Sequence, residues 1–381
     1  MHAVSLITGT LLAAQSALAW GAAGHEIVAT LAEIHLHPSI LAYLRSPSIP
    51  LLPPFAKGHL APVASWADRI RMNPEYRGWS GPLHYSGWTA DHPPDACAWP
   101  AAGKGDGEGW NSDKDVLHAI ANYTTRLDND PTDWSSFNFL LHFLGDVHQP
   151  MHLTSRERGG NGDPVLWEGR RTNLHSLWDG LLIARTLREQ SNYTRPLPSP
   201  QIESALNGAI YDPYIRLLLW EGVRSWYRAS LPEWLDCGAF SSPSLSSSSL
   251  LPADPHQLTF SSPAEEGEGE KELKKTVCPL RWATETHRVT CALAFPEGYD
   301  DHKPPVEIGR ESEFWKKIKD DHTLARLLLQ GGLRLAATLN VVLAAPARAW
   351  AEQQGWVTLL ERDEAGPLNL GWVEEAERRG W

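Results

Sequence analysis

His142-Phe-Leu-Gly-Asp146-Val-His-Gln-Pro-Met-His152 and, further on, Asn173-Leu-His175-Ser-Leu-Trp-Asp179 share one pattern. In each, a His and an Asp stand four residues apart. On a helix that spacing stacks both side chains on one face. Imidazole and carboxylate without thiolate suit a hydrolytic zinc site better than a closed structural one. The two stretches therefore predict a helical protein with metal-dependent hydrolytic chemistry.

The beginning of the chain adds to this. Residues 2–19 carry an apolar core too short for a bilayer span, and it ends in Ala17-Leu18-Ala19, a small-x-small cleavage pattern. Residues 1–19 read as a secretory signal peptide, although a basic leading region is missing. Cleavage would make Trp20 the first residue, followed by Gly-Ala-Ala-Gly-His25. A freed α-amine and its own carbonyl oxygen can chelate one metal, and His25 can add a third bond.

The chain has 381 residues, 42% of them hydrophobic, enough for a large core. No apolar run after residue 19 reaches the length of a bilayer span, so a soluble mature protein with no membrane association is expected; the leader implies a secreted, extracellular location, and a monomer is expected. The net charge of −12 argues against a basic groove that grips nucleic acid by counterion release. Bound zinc would reverse the sign of the field inside a site, so a phosphate substrate stays open.

Four cysteines, Cys97, Cys237, Cys278 and Cys291, suggest two disulfides with three possible connectivities. Residues 240–274 are a low-complexity surface insertion, first Ser and Pro, then Glu and Gly. Cys237 and Cys278 bracket it, so their pairing would close its base and leave Cys97 for Cys291. Asn122 and Asn192 open N-glycosylation sequons.

Helical periodicity marks 25–45, a start at Ser65-Trp-Ala-Asp68, 115–127, 137–149, 174–188, 202–231 and part of 311–343. Residues 78–109 read as a long loop. A short hairpin strand falls at 165–168, and the segment 344–381 reads as a C-terminal tail of uncertain fold. The class is mainly α: a single-domain helical bundle with long loops and a small β-hairpin. His35, His37, His118 and His148 read as structural or solvated.

Nine residues then stand as ligand candidates: Trp20, His25, Asp68, His84, His142, Asp146, His152, His175 and Asp179. They offer about three ligands to each of three zinc ions, with open positions left over. A close zinc pair stabilises the attacking and leaving oxygens of an in-line displacement at phosphorus.

Trp-Gly-x-x-Gly-His, Ser-Trp-Ala-Asp, Leu-His-Tyr, His-Phe-x-Gly-Asp-x-x-Gln-Pro-x-His, Gly-Gly-Asn and Asn-Leu-His-Ser-x-Trp-Asp occur in that order. In these motifs, from Trp20 to about Leu343, the chain resembles the zinc-dependent single-strand nuclease and 3′-nucleotidase family of the S1 and P1 type, related in fold to zinc-dependent phospholipase C. The resemblance implies a secreted endonuclease with three Zn2+, over a domain spanning 20–343. It would cleave single-stranded DNA and RNA to 5′-phosphorylated products and dephosphorylate 3′-nucleotides.

Carried over by motif, Asp68, His84, His142 and Asp146 would hold the first zinc. The Trp20 amine and carbonyl with His25 would hold its partner, Asp146 bridging, and His152, His175 and Asp179 would hold the third. Asp68 would orient or deprotonate the attacking water, and Arg71 would face the phosphate, its planar fork suited to phosphate oxygens. Asn161 would line the cleft. Tyr85 stands where the family often has a base-stacking Phe, and Gly87 where an acidic residue is usual, which leaves base preference open. The alternatives are a zinc phospholipase C and a non-catalytic secreted zinc-binding protein.

Overall fold

The computed structural model describes residues 20–99, 114–190, 193–237, 277–300, 302–363 and 366–381. The signal segment, the 240–274 insertion and Asn192 lie outside them. The protein is mainly helical, as the periodicity predicts, with one small sheet.

The N-terminal third builds α1 (Ala22–His35), α2 (Pro38–Arg45) and α3 (Trp66–Ile70), and then α4 (Val116–Asn129) and α5 (Trp134–Asp146). Pro38 divides the helix expected over 25–45, because its ring suits a first turn and not an interior. Asp115 and Asp133 cap α4 and α5 by accepting the His118 and Ser136 amides at 3.0 Å. α5 stops at Asp146, short of the expected Gln149, because Gln149 precedes Pro150 and is extended (φ −96°, ψ 118°). The helix expected over 202–231 divides into Pro200–Leu206, Asp212–Leu217 and a π-helical stretch Leu218–Trp226.

The hairpin pairs β1 (Pro164–Trp167) with β2 (Arg170–Asn173), and β3 (Val306–Ile308) adds a parallel strand to β1 that the sequence reading missed. Three residues of weak alternation carry too little signal to be read as a strand.

α1 is buried along most of its length against the helix Thr323–Val342. Gly332 allows the approach: a Cβ there would stand 2.5 Å from Leu31 Cβ and 3.1 Å from the Val28 carbonyl oxygen. α5 is held from its other side by an aromatic wall. Phe139 stacks on Tyr123 at 4.7 Å and meets Trp66 edge-on at 5.0 Å, while Phe143 continues the row at 5.3 Å.

The segment after Leu343 is not a detached tail. Helices Ala344–Gln353 and Gly371–Arg378 fold back onto the N-terminal helices, with Asn340 donating to the carbonyls of His35 and Pro367. Disulfides join Cys97 to Cys291 and Cys237 to Cys278. Asn122 is a correction to the glycosylation reading. It is 4% exposed with its amide nitrogen covered, so the folded chain has no room for a glycan there.

Two outcomes test this packing. Gly332→Ala places a methyl group into Leu31 and should cost about 1–3 kcal/mol, although Ala is the better helix former; chemical denaturation reads it, and an unchanged midpoint contradicts it. His35 is fully buried, accepts no charge readily, and burial lowers its pKa to about 4. An unfolded imidazole titrates near 6.5, so stability from this group is present above that pH and declines as pH falls towards 4. The full loss is about 3 kcal/mol. Melting temperature should fall over that window, and His35→Phe should make the decline shallower; an unchanged slope contradicts it.

Candidate metal centre

The proposed ligands are delivered by several local devices. α1 presents His25 to the middle of the molecule, and Gly145 on α5 leaves room for its ring: a Cβ there would lie 2.6 Å from His25 Nδ1. α5 places His142 and Asp146 on one face, with Nε2 to Oδ2 at 3.3 Å. The short helix α3 brings Asp68, and a 3-10 turn Gly81–His84 brings His84. After Pro150 the chain turns so that His152 points back at the same place. Asn173 caps the next helical turn by accepting the Ser176 amide at 2.7 Å. His175 and Asp179 then meet across a π turn, Nε2 to Oδ2 at 3.1 Å.

These side chains converge. Asp146 Oδ2 lies 2.9 Å from His84 Nδ1, while Oδ1 lies 3.3 Å from His25 Nε2 and 3.6 Å from His152 Nδ1. Asp68 stands 3.9 Å from His84 Nδ1 and 3.8 Å from His142 Nε2. Three donor triads result: His25, His142 and Asp146; Asp68, His84 and His142; His152, His175 and Asp179. A fourth grouping, Asp91, His287 and Cys291, offers no thiolate, because Cys291 is disulfide-bonded. Trp20 is fully buried, and the Gly21 amide donates to the Asp179 carbonyl at 2.7 Å, which tethers the Trp20 end beside the third triad.

The far sides of the imidazoles are fixed by backbone carbonyls. His142, His152 and His175 direct Nδ1 at the oxygens of Ala64, His84 and Gly159, at 2.8, 2.8 and 2.6 Å. Their Nε2 lone pairs therefore face inward, the arrangement that orients metal-ligating histidines. Gln149 is the functional residue the sequence reading passed over. It lies within the His142–His152 motif, and its Nε2 donates to Asp179 Oδ1 while its Oε1 accepts the Met151 amide. Nothing in its residue type announces that contact; only the turn at Pro150 makes it.

Electrostatics follow from burial. Desolvation and neighbouring imidazoles hold His25, His84 and His152 well below the ordinary histidine range. Desolvation, then Asp68 and Asp179, push Asp146 well above the carboxylate range. Burial raises Asp179 to about 6 against the pull of His175. His25 Nε2, Asp68 Oδ1, His84 Nε2, Asp146 Oδ1, His152 Nε2 and His175 Nε2 are buried and make no hydrogen bond. Orphaned polar atoms of this number in one place are costly, and cations bound among them would satisfy lone pairs and charge together. The donor set of imidazole nitrogens and carboxylate oxygens fits zinc.

Arg71 reaches the edge of the cluster, with Nη1 3.9 Å from Asp68 Oδ1 and 3.4 Å from Tyr85 Oη. Tyr85 leans over His152, ring centroids 4.5 Å apart. Asn161 is engaged within its own turn, donating to the Arg158 carbonyl at 2.8 Å. His148 faces away from the triads and accepts from Arg334 Nη1 at 2.8 Å.

Comparison with known proteins agrees with this geometry. The S1/P1 Nuclease family profile matches residues 20–226, beginning at Trp20 and containing every member of the three triads. Endonuclease 4 of Arabidopsis thaliana is 30% identical over 340 residues, covering 85% of this chain and 89% of that protein. Nuclease S1 of Aspergillus oryzae is 34% identical over 179 residues (45% and 56% of the two chains). Nuclease P1 of Penicillium citrinum is 34% identical over 166 residues (42% and 57%). On this agreement of motif order, fold and similarity, the chain belongs to the S1/P1 nuclease family and is a hydrolase of phosphodiester bonds.

Proposed function

We infer that the protein is a secreted endonuclease that holds three zinc ions, cleaves single-stranded DNA and RNA to 5′-phosphorylated products, and removes phosphate from 3′-nucleotides. The observation that carries the reading is the Asp146 carboxylate, whose two oxygens face ligands of two different triads. Asp68, His84, His142 and Asp146 would hold one ion. Asp146 and His25, with the amine and carbonyl of a Trp20 freed by removal of residues 1–19, would hold the second. His152, His175 and Asp179 would hold the third. When bound, the ions supply Lewis acidity and charge for an in-line displacement at phosphorus.

The chain's own residues do the rest. Asp68 Oδ1 is buried without a hydrogen bond, so it is placed to accept a proton or hydrogen bond from the attacking water. Arg71, beside it, presents its planar fork to phosphate oxygens as charge develops. Tyr85 offers a ring to one base, and Asn161 is assigned to the cleft wall. A base must leave its duplex stack to lie on Tyr85, which favours single strands. Residues 20–343 form the nuclease domain in this reading, supported by the packed C-terminal segment.

Asp146→Asn should lose two of the three zinc ions and nearly all hydrolysis of denatured DNA. Elemental analysis beside the assay checks it, and full metal content in an inactive protein rules out the shared carboxylate. Tyr85→Ala should weaken substrate binding by about 1–3 kcal/mol with zinc retained. An unchanged KM on single-stranded DNA removes Tyr85 from the substrate site.

A further inference from the structure

The helices Leu231–Leu235, Pro279–Leu293 and Thr323–Val342 line a cavity of about 290 Å3, near the lower size of small-molecule pockets. None of its lining residues belongs to the three triads.

Three donors point to its use. Gln330 is only 6% exposed, and its side chain has no hydrogen-bond partner among the described residues. Arg326 has its Nε covered and equally without a partner. Arg288 is exposed and forms no ion pair among the described residues. The neighbouring Glu285 is already taken, by Arg281 at 3.1 Å and by Arg334. Glu233 reaches Arg281 only at 4.0 Å. Arg281 and Arg334 thus engage the two carboxylates, and Arg288 and Arg326 line the cavity as two further guanidinium groups, a local positive charge on a chain whose net charge is −12. Trp234, Val289 and Leu293 add apolar lining.

We propose that this cavity binds an organic phosphomonoester, its phosphate between Arg288, Arg326 and Gln330 and its organic group against Trp234 and Leu293. A phosphomonoester carries about −1.5 to −2 charges at neutral pH, which matches the excess of two guanidinium groups. Its tetrahedral oxygens can accept from three directions at once. A planar carboxylate presents only two oxygens in one plane.

Calorimetric titration of the full-length zinc-loaded protein with inorganic phosphate and with adenosine 5′-monophosphate tests this. The parent should bind the nucleotide at a site that Arg288→Gln/Arg326→Gln weakens by about tenfold or more, the loss of a charge-assisted hydrogen bond. Hydrolysis of denatured DNA should be unchanged in that variant. Arg288→Gln alone, on the surface, gives the same direction if the double variant does not fold. Isotherms identical to the parent's overturn the site. Inorganic phosphate binding there as tightly as the nucleotide overturns the organic ester. Both readouts are of binding, so they stand apart from any failure of the nuclease reading.

Discussion

The Asp146 carboxylate is fully buried among the imidazoles of His25, His84, His142 and His152. A carboxylate in that position is expensive to desolvate, and the crowding of lone pairs around it makes the cost larger. His25 and His84 reach it from distant stretches of the chain, and His142 and His152 from its own helix and the turn that follows. Cations bound among these atoms would offset that cost. Coupling of this kind makes metal affinity part of folding stability.

Rigidity around the centre comes from two apolar devices. The aromatic row Tyr123, Phe139 and Phe143 clamps α5 from one side. The Gly331-Gly332 step lets the helix Thr323–Val342 lie against α1 from another. Backbone carbonyls of Ala64, His84 and Gly159 then set the direction of three imidazoles. Loop-borne ligands such as His84 gain their precision from these contacts, because a loop alone would not fix a ring to within a bond length. The cavity around Gln330 lies on that same long helix, so it too is built on a rigid element.

Much of this was legible in the chain. The i, i+4 pairs His142/Asp146 and His175/Asp179 could be paired from spacing alone, because one helical turn fixes their separation. The ends of the helices were less legible. α5 ends at Asp146, ahead of the extended Gln149 whose conformation Pro150 restricts, a local effect. β3 and the packed segment after Leu343 were missed or left open, since their partners lie far away in sequence. Gln149 belonged to a quoted motif, and its hold on Asp179 required a turn that periodicity cannot describe. Asn122 satisfied a sequon and was buried by its helix face.

Residue types and their order determined the chemistry: nitrogen and oxygen donors, and motifs in a family's succession. Those are properties of covalent structure and of single helical turns, where distance along the chain and distance in space are tied. Which oxygens of Asp146 face which rings, which carbonyl orients each imidazole, and where Arg288, Arg326 and Gln330 meet were decided only by the tertiary structure. Such contacts join residues whose separation in sequence places no bound on their separation in space. They are set by how buried apolar faces pack.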